Sequence, residues 1–195
     1  MRIVLALAIL LLSPAMAFAH TGADHAAGLV HGFAHPIGGL DHVLAMVAVG
    51  ILAFALGGRA LWLVPASFVG MMVVGFILGL LQTTLPYVEL AIALSSVVIG
   101  AAAVSRRPIP LALATSLVGL FAVFHGHAHG GEMPADSSGL TYALGFVAAT
   151  ALLHLSGIAA TFGLGHLVGR HRALVSRFAG GLFAVAGLGV MAGWL

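Results

Sequence analysis

Apolar residues run along this chain in long blocks separated by short polar or glycine-rich breaks. A helix crosses the hydrocarbon of a bilayer with about 20 predominantly apolar residues. Six stretches meet that length, at roughly 37–57, 61–82, 87–104, 109–125, 140–167 and 174–195. The breaks are Gly57-Gly58-Arg59, Thr83-Thr84-Leu85-Pro86, Ser105-Arg106-Arg107-Pro108, the His/Gly/Glu stretch 125–139, and Gly169-Arg170-His171-Arg172. Each carries turn or helix-stop residues. The pattern predicts an all-α, polytopic membrane protein with six transmembrane helices in one domain, 37–195.

The first nineteen residues have a different pattern: Arg2, an apolar run from Ile3 to Leu12, Pro14, and two overlapping small-x-small sites, Ala15-Met16-Ala17 and Ala17-Phe18-Ala19. That is the form of a cleavable signal peptide, cut after Ala17 or Ala19. Residues 20–36 are then expected to be a histidine-rich periplasmic N-terminus, and cleavage after Ala19 would put the α-amine and the imidazole of His20 together as a chelating pair.

Charge orients the chain. With a cleaved signal the mature N-terminus is outside, so the first, third and fifth breaks are cytoplasmic. Arg59, Arg106, Arg107, Arg170, Arg172 and Arg177 all lie in or beside those three, as the positive-inside rule requires. The same threading puts all five acids, Asp24, Asp41, Glu89, Glu132 and Asp136, on the outer side. The expected location is the inner membrane of a bacterium, with the lipid bilayer as partner. A net charge of +2 carried by loop arginines is an orientation signal, so nucleic acid is not expected as a partner. The chain is 62% hydrophobic and has no cysteine but eleven histidines. Thiolate sites and disulfides are therefore excluded, and a metal here must be held by imidazole, carboxylate, carbonyl, thioether or water.

Residues 31–42, HGFAHPIGGLDH, hold three of those histidines and an aspartate. Pro36 suits the first turn of a helix, which makes His35 its expected cap. Asp41 and His42 then lie about two turns in, where an ionised carboxylate is costly unless it is paired or ligating. On one continuous helix His35 and His42 share a face and Asp41 points about 100° away. One ion can reach all three only if Gly38-Gly39 bends the helix or other helices complete the shell. Candidates for completing it are Glu89 and the run His125-Gly126-His127-Ala128-His129-Gly130-Gly131-Glu132. The alternating histidines His125, His127 and His129 are expected on an extended, glycine-loosened loop. An echo of form His-Gly-x-Ala-His links 31–35 with 125–129 and reads as duplicated ligand chemistry.

These motifs, His35-Pro36-x-x-Gly39-x-Asp41-His42-x-x-x-Met46 followed by Phe-His-Gly-x-Ala-His-Gly-x-Glu at 124–132, resemble the HupE/UreJ family of nickel and cobalt permeases along the whole chain. Five residues separate His35 from Asp41, unlike the separate nickel/cobalt transporters with a His-x4-Asp-His signature. The resemblance implies uptake of Ni2+, and also of Co2+, toward hydrogenase or urease maturation. It also points to His35, Asp41, His42, Phe68, Glu89, His129 and Glu132 as functional positions. The ion is cargo; no permanent cofactor is expected.

Each residue also has a plainer reading. Glu89, three residues after Pro86, suits any first helical turn. Phe68 is packing without the resemblance. His125 and His127 would serve as low-affinity attractors in a periplasmic loop, and His20 and His31 as capture ligands or solvated side chains. His154, mid-way along the fifth stretch, is either hydrogen-bonded to a neighbouring helix or a second station for the ion. No His-Glu-x-x-His or Gly-x-Ser-x-Gly motif is present, so an enzyme is not expected. Nor does the chain hold a nucleotide-binding Gly-x4-Gly-Lys-[Ser/Thr] loop. The alternative to a permease is a membrane metal sensor, chaperone or accessory subunit that binds metal without moving it. Oligomeric state and any accessory subunit are left open.

Overall fold

A computed structural model describes residues 24–105, 109–169 and 172–195. The expected signal peptide and His20 lie outside the described residues. Among these residues the chain is all-helical: α1 Asp24–Gly38, α2 Leu40–Leu56, α3 Ala60–Leu80, α4 Val88–Val104, α5 Leu111–Gly131, α6 Gly139–Leu167 and α7 Arg172–Met191. Four spans, Ala60–Leu80, Leu111–Gly131, Gly139–Leu167 and Ala173–Met191, are long and apolar enough to cross a membrane. The bent pair formed by α1 and α2 adds a fifth if it counts as one span, and α4 is a shorter apolar helix of 17 residues. Large apolar side chains cover the outside, with Trp62, Tyr87 and Trp194 exposed near helix ends, where amphipathic rings suit a membrane interface.

Two expected elements differ. The first helix, expected from Pro36 with His35 as its cap, is two helices that meet at 82° across Gly39. Gly39 is extended, at φ −97° and ψ 119°. His35 and Pro36 belong to the last turn of α1, and Asp41 opens α2 in its first turn rather than two turns in. The physical reason is that Pro36 withholds an N–H and Gly38-Gly39 has no side chain to favour a continuing helix. Part of the segment 20–36, expected to precede the first helix, is itself helical from Asp24 on, because α1 packs along α6. The second difference is the histidine run, which is not an extended loop: α5 continues through Gly131.

Glycine explains both helices. A Cβ on Gly32 would overlap the Tyr142 carbonyl, and one on Gly145 the Leu29 carbonyl, so α1 and α6 touch backbone to backbone. Gly126 abuts the Met72 carbonyl and Gly75 the Val123 carbonyl where α5 crosses α3, and one turn further Gly130 meets Phe76 and Gly79 meets His127. Gly50 and Gly157 form the same reciprocal contact between α2 and α6. Such pairs let helices approach closely in lipid. The glycines that read as loop formers are the contact points of packed helices.

α2 is the central rod. It packs against α4, α6 and α7 over most of its length, and its inward residues Met46, Val49, Leu52 and Ala53 are fully buried. The two ends of the bundle differ. One end has a cavity of about 320 Å3 lined by Gly57, Arg59, Ser105, Ile109 and Arg177. The other has a cavity of about 590 Å3 lined by His31, His35, Asp41, His42, Glu89, Glu132 and Tyr142. Among the described residues, Arg59 and Arg177 thus stand at the end opposite Asp41, Glu89 and Glu132.

Overpacking a tight crossing costs about 1–3 kcal/mol or more. Gly126→Ala is expected to lower the unfolding temperature in detergent. Gly70→Ala, mid-helix in α3 with nothing within 4 Å of a new Cβ, is expected to leave it unchanged or raise it slightly, because alanine favours helix by up to about 1 kcal/mol. Equal melting shifts in the two variants would contradict the glycine-crossing account.

Candidate metal site

Gly39 places the end of α1 over the start of α2, so His35 and His42 face each other across the break instead of lying seven residues apart on one helix. Their ring centroids are 6.0 Å apart. α5 supplies the third imidazole: His129 lies 4.9 Å from His35 and 5.2 Å from His42 by ring centroid. One ligand nitrogen from each of the three lies within 4.8 Å of the others. Metal–imidazole bonds of about 2.1 Å put ligand nitrogens about 3–4 Å apart, so side-chain shifts of about 1 Å close the three on one ion.

Carboxylates hold two of these rings. Asp41 Oδ1 accepts the backbone N–H of His42 at 2.7 Å and lies 3.0 Å from Nδ1 of its ring. Ionised, that carboxylate accepts a hydrogen bond from Nδ1–H and leaves Nε2 with its lone pair free, the carboxylate–histidine arrangement that orients metal ligands. Glu132, which caps α5, is 3.2 Å from Nε2 of His35 at the cavity mouth. His129 is fixed by packing instead: its ring stacks on Phe146 at 4.8 Å and 4°.

His125, one turn deeper on α5, is fully buried with its ring 4.8 Å from that of His42. The Ser95 hydroxyl donates to the Ile92 carbonyl at 2.6 Å and so accepts from Nε2–H of His125 at 3.0 Å. That hydrogen-bond network selects the tautomer whose Nδ1 carries a free lone pair. Nε2 of His42, both ring nitrogens of His129, Nδ1 of His125 and the Tyr142 hydroxyl are buried without a hydrogen-bond partner. An unsatisfied buried polar group costs about 1–3 kcal/mol. Several in one place match a site whose imidazoles await a ligand with vacant orbitals rather than a protein donor.

The other positions singled out from sequence are distributed around this cluster. His31, exposed, and Glu89, exposed at the start of α4, line the same cavity. Phe68 is fully buried beneath His125, with ring centroids 5.4 Å apart. His154 is buried lower on α6, 5.1 Å from Phe68. His127 is not brought to the cluster: on α5 it points away, and its Nε2 lies 2.6 Å from the Thr83 carbonyl, tying the α3–α4 loop. The His-Gly-x-Ala-His echo has a structural meaning. In both copies the glycine sits in a helix crossing and the second histidine enters the cluster.

Sequence reasoning missed Tyr142, Phe146 and Ser95. The first two begin a stripe Tyr142, Phe146, Thr150, His154 at helical spacing, all buried, and that i, i+4 recurrence of polar and aromatic residues was the available signal. Ser95 had none, since its role depends on the α4–α5 contact.

A family model described as "HupE / UreJ protein" matches residues 7–190. "Protein HupE" of Rhizobium leguminosarum bv. viciae is 46% identical over 181 residues, covering 92% of this chain and 92% of that protein. No solved structure matches the chain. With a whole-length family match and a relative this similar, the chain belongs to the HupE/UreJ family.

Proposed function

We propose that the protein is an inner-membrane permease for Ni2+, and also for Co2+, that captures the ion on the outer side and passes it to the cytoplasm, where it serves hydrogenase or urease maturation. The observation that carries this reading is the convergence of three imidazoles from three helices at the floor of an acid-lined cavity. Imidazole with carboxylate and no thiolate suits borderline divalent ions. Counting α1 and α2 as one broken span and α4 as a short one gives six spans, with the mature N-terminus periplasmic. Broken helices that face a binding site are a recurrent device of transporters. The arginine-lined cavity then opens to the cytoplasm, in keeping with the positive-inside rule.

Asp41, Glu89 and Glu132 concentrate cations at the mouth. His35, His42 and His129 then replace part of the ion's water shell, with His125 next in depth. The membrane potential favours inward movement of a divalent cation by about 4.6 kcal/mol per 100 mV, twice the single-charge value. A site of this kind must bind weakly enough to release.

Removing an outer-shell carboxylate lowers metal affinity about 10–100-fold. Asp41→Asn is therefore expected to weaken Ni2+ binding by that factor in calorimetric titrations of detergent-solubilised protein. His129→Ala is expected to weaken it at least as much. His127→Ala, whose ring faces Thr83, should stay within about threefold, as for substitutions away from a site. An equal loss in all three would contradict the geometry.

Transport itself is tested by cellular accumulation of Ni, Co, Zn and Mn at low external metal, read by elemental mass spectrometry. Selective gain of nickel or cobalt is expected in cells making the protein, and its loss in Asp41→Asn at matched expression. Binding without any gain would instead support a sensor, a chaperone or an accessory subunit.

A further inference from the structure

One imidazole lies below the cluster and has no part in it. On α5, His125 is one turn deeper than His129, about 6 Å along the axis. On α6, His154 is two turns deeper than Phe146, the ring that stacks on His129, or about 12 Å. His154 is therefore the deeper of the two by about one helical turn. Phe68 bridges the two levels: its buried ring lies 5.4 Å from His125 and 5.1 Å from His154, edge-on to the latter at 86°.

His154 is 1% exposed, and neither of its ring nitrogens has a hydrogen-bond partner. A hydrogen bond to a neighbouring helix, the ordinary reason for an intramembrane histidine, is therefore absent from its surroundings. The buried polar groups on the level above it are neutral. One turn above it on α6 the Thr150 hydroxyl is 3.3 Å from the Met46 sulfur and 3.6 Å from the Met72 sulfur. Met46 lies one turn below His42 on α2, and Met72 one turn above Phe68 on α3. All three are fully buried. The described carboxylates stand at the outer end of the bundle. Beneath Phe68 the interior thus offers imidazole nitrogen lone pairs without any acid to hold a cation there.

We propose that His154 is a second station for the transported ion, and that the Phe68 ring is the barrier the ion crosses between His125 and His154. This rests on reading the outer cluster as an ion-capture site. The ligand is a borderline divalent transition ion that has shed part of its water. With a neutral ligand set its charge is only partly compensated, so the inner station holds it more weakly than the outer one and favours onward release. The alternation is of tight and loose sites separated by an apolar constriction.

The test is the number of nickel ions bound per chain, by equilibrium dialysis of radioactive Ni2+ against the full-length protein in lipid nanodiscs. His154→Leu and His154→Gln are each expected to lose one equivalent at saturation. His129→Ala is expected to lose a different one, and the double variant His129→Ala/His154→Leu both. The glutamine variant keeps a polar side chain of similar reach, for the case in which leucine disturbs folding. Full nickel stoichiometry in the folded His154 variants overturns the second station. A histidine that only fills space would shift the melting temperature and leave the nickel count intact. Unchanged stoichiometry in His129→Ala would defeat the outer-site reading separately, and loss of an equivalent in the His154 variants would still support the inner one.

Discussion

Helices in lipid gain little from burying one apolar face against another, because the acyl chains are as apolar as leucine. What holds this bundle in one arrangement is backbone contact at paired glycines. Gly32 with Gly145, Gly50 with Gly157, and Gly75 with Gly126 each fit only because neither carries a Cβ. The same crossings bring α1, α2, α5 and α6 close enough for short, rigid imidazoles to meet. An imidazole is rigid and shorter than a lysine side chain, so a site built from His35, His42 and His129 requires helix backbones close together. The glycine content and the histidine cluster are one design.

The broken helix at Gly39 contributes the other half. A continuous helix would direct His35 and His42 along one face and Asp41 away from both. The 82° break instead stacks the end of α1 over the first turn of α2. Asp41 then accepts the first-turn N–H of His42 and also orients its ring, so one carboxylate satisfies the helix start and prepares a ligand. Negative charge is favoured at a helix N-terminus, which offsets part of the cost of holding Asp41 partly buried. The interior then changes from acids with imidazoles, to imidazoles alone, to the aromatic and thioether lining around Phe68. That gradient suits capture from water followed by passage through a dry region.

Much of this was legible in the sequence, and the failures have physical causes. The segregation of the described arginines Arg59 and Arg177 from the acids was readable because turns and charge alternate in register with the apolar blocks. His35, Asp41, His42, Glu89, His129 and Glu132 were singled out from the clustering of ionisable residues in an apolar chain together with the family resemblance, and the structure gathers them at one end of the bundle around one cavity. The helicity of residues 24–35 and 126–131 was not legible. Glycine reads as a breaker in isolation, and only the partner helix turns it into a contact point. The divergence of His127 from His125 and His129 follows from that same helicity, since residues two apart on a helix point in different directions. Tyr142, Phe146 and Ser95 needed the packing of α4 and α6 to be recognised.

The proposed capture site is three imidazoles, from α1, α2 and α5, sharing one ion. Nickel K-edge X-ray absorption on the full-length protein in nanodiscs, loaded with one equivalent of Ni2+, measures that directly. A shell with three imidazoles at about 2.1 Å, falling to two in His129→Ala, is the predicted result. A shell of water and carboxylate oxygens with at most one imidazole, unchanged in His129→Ala, would contradict it.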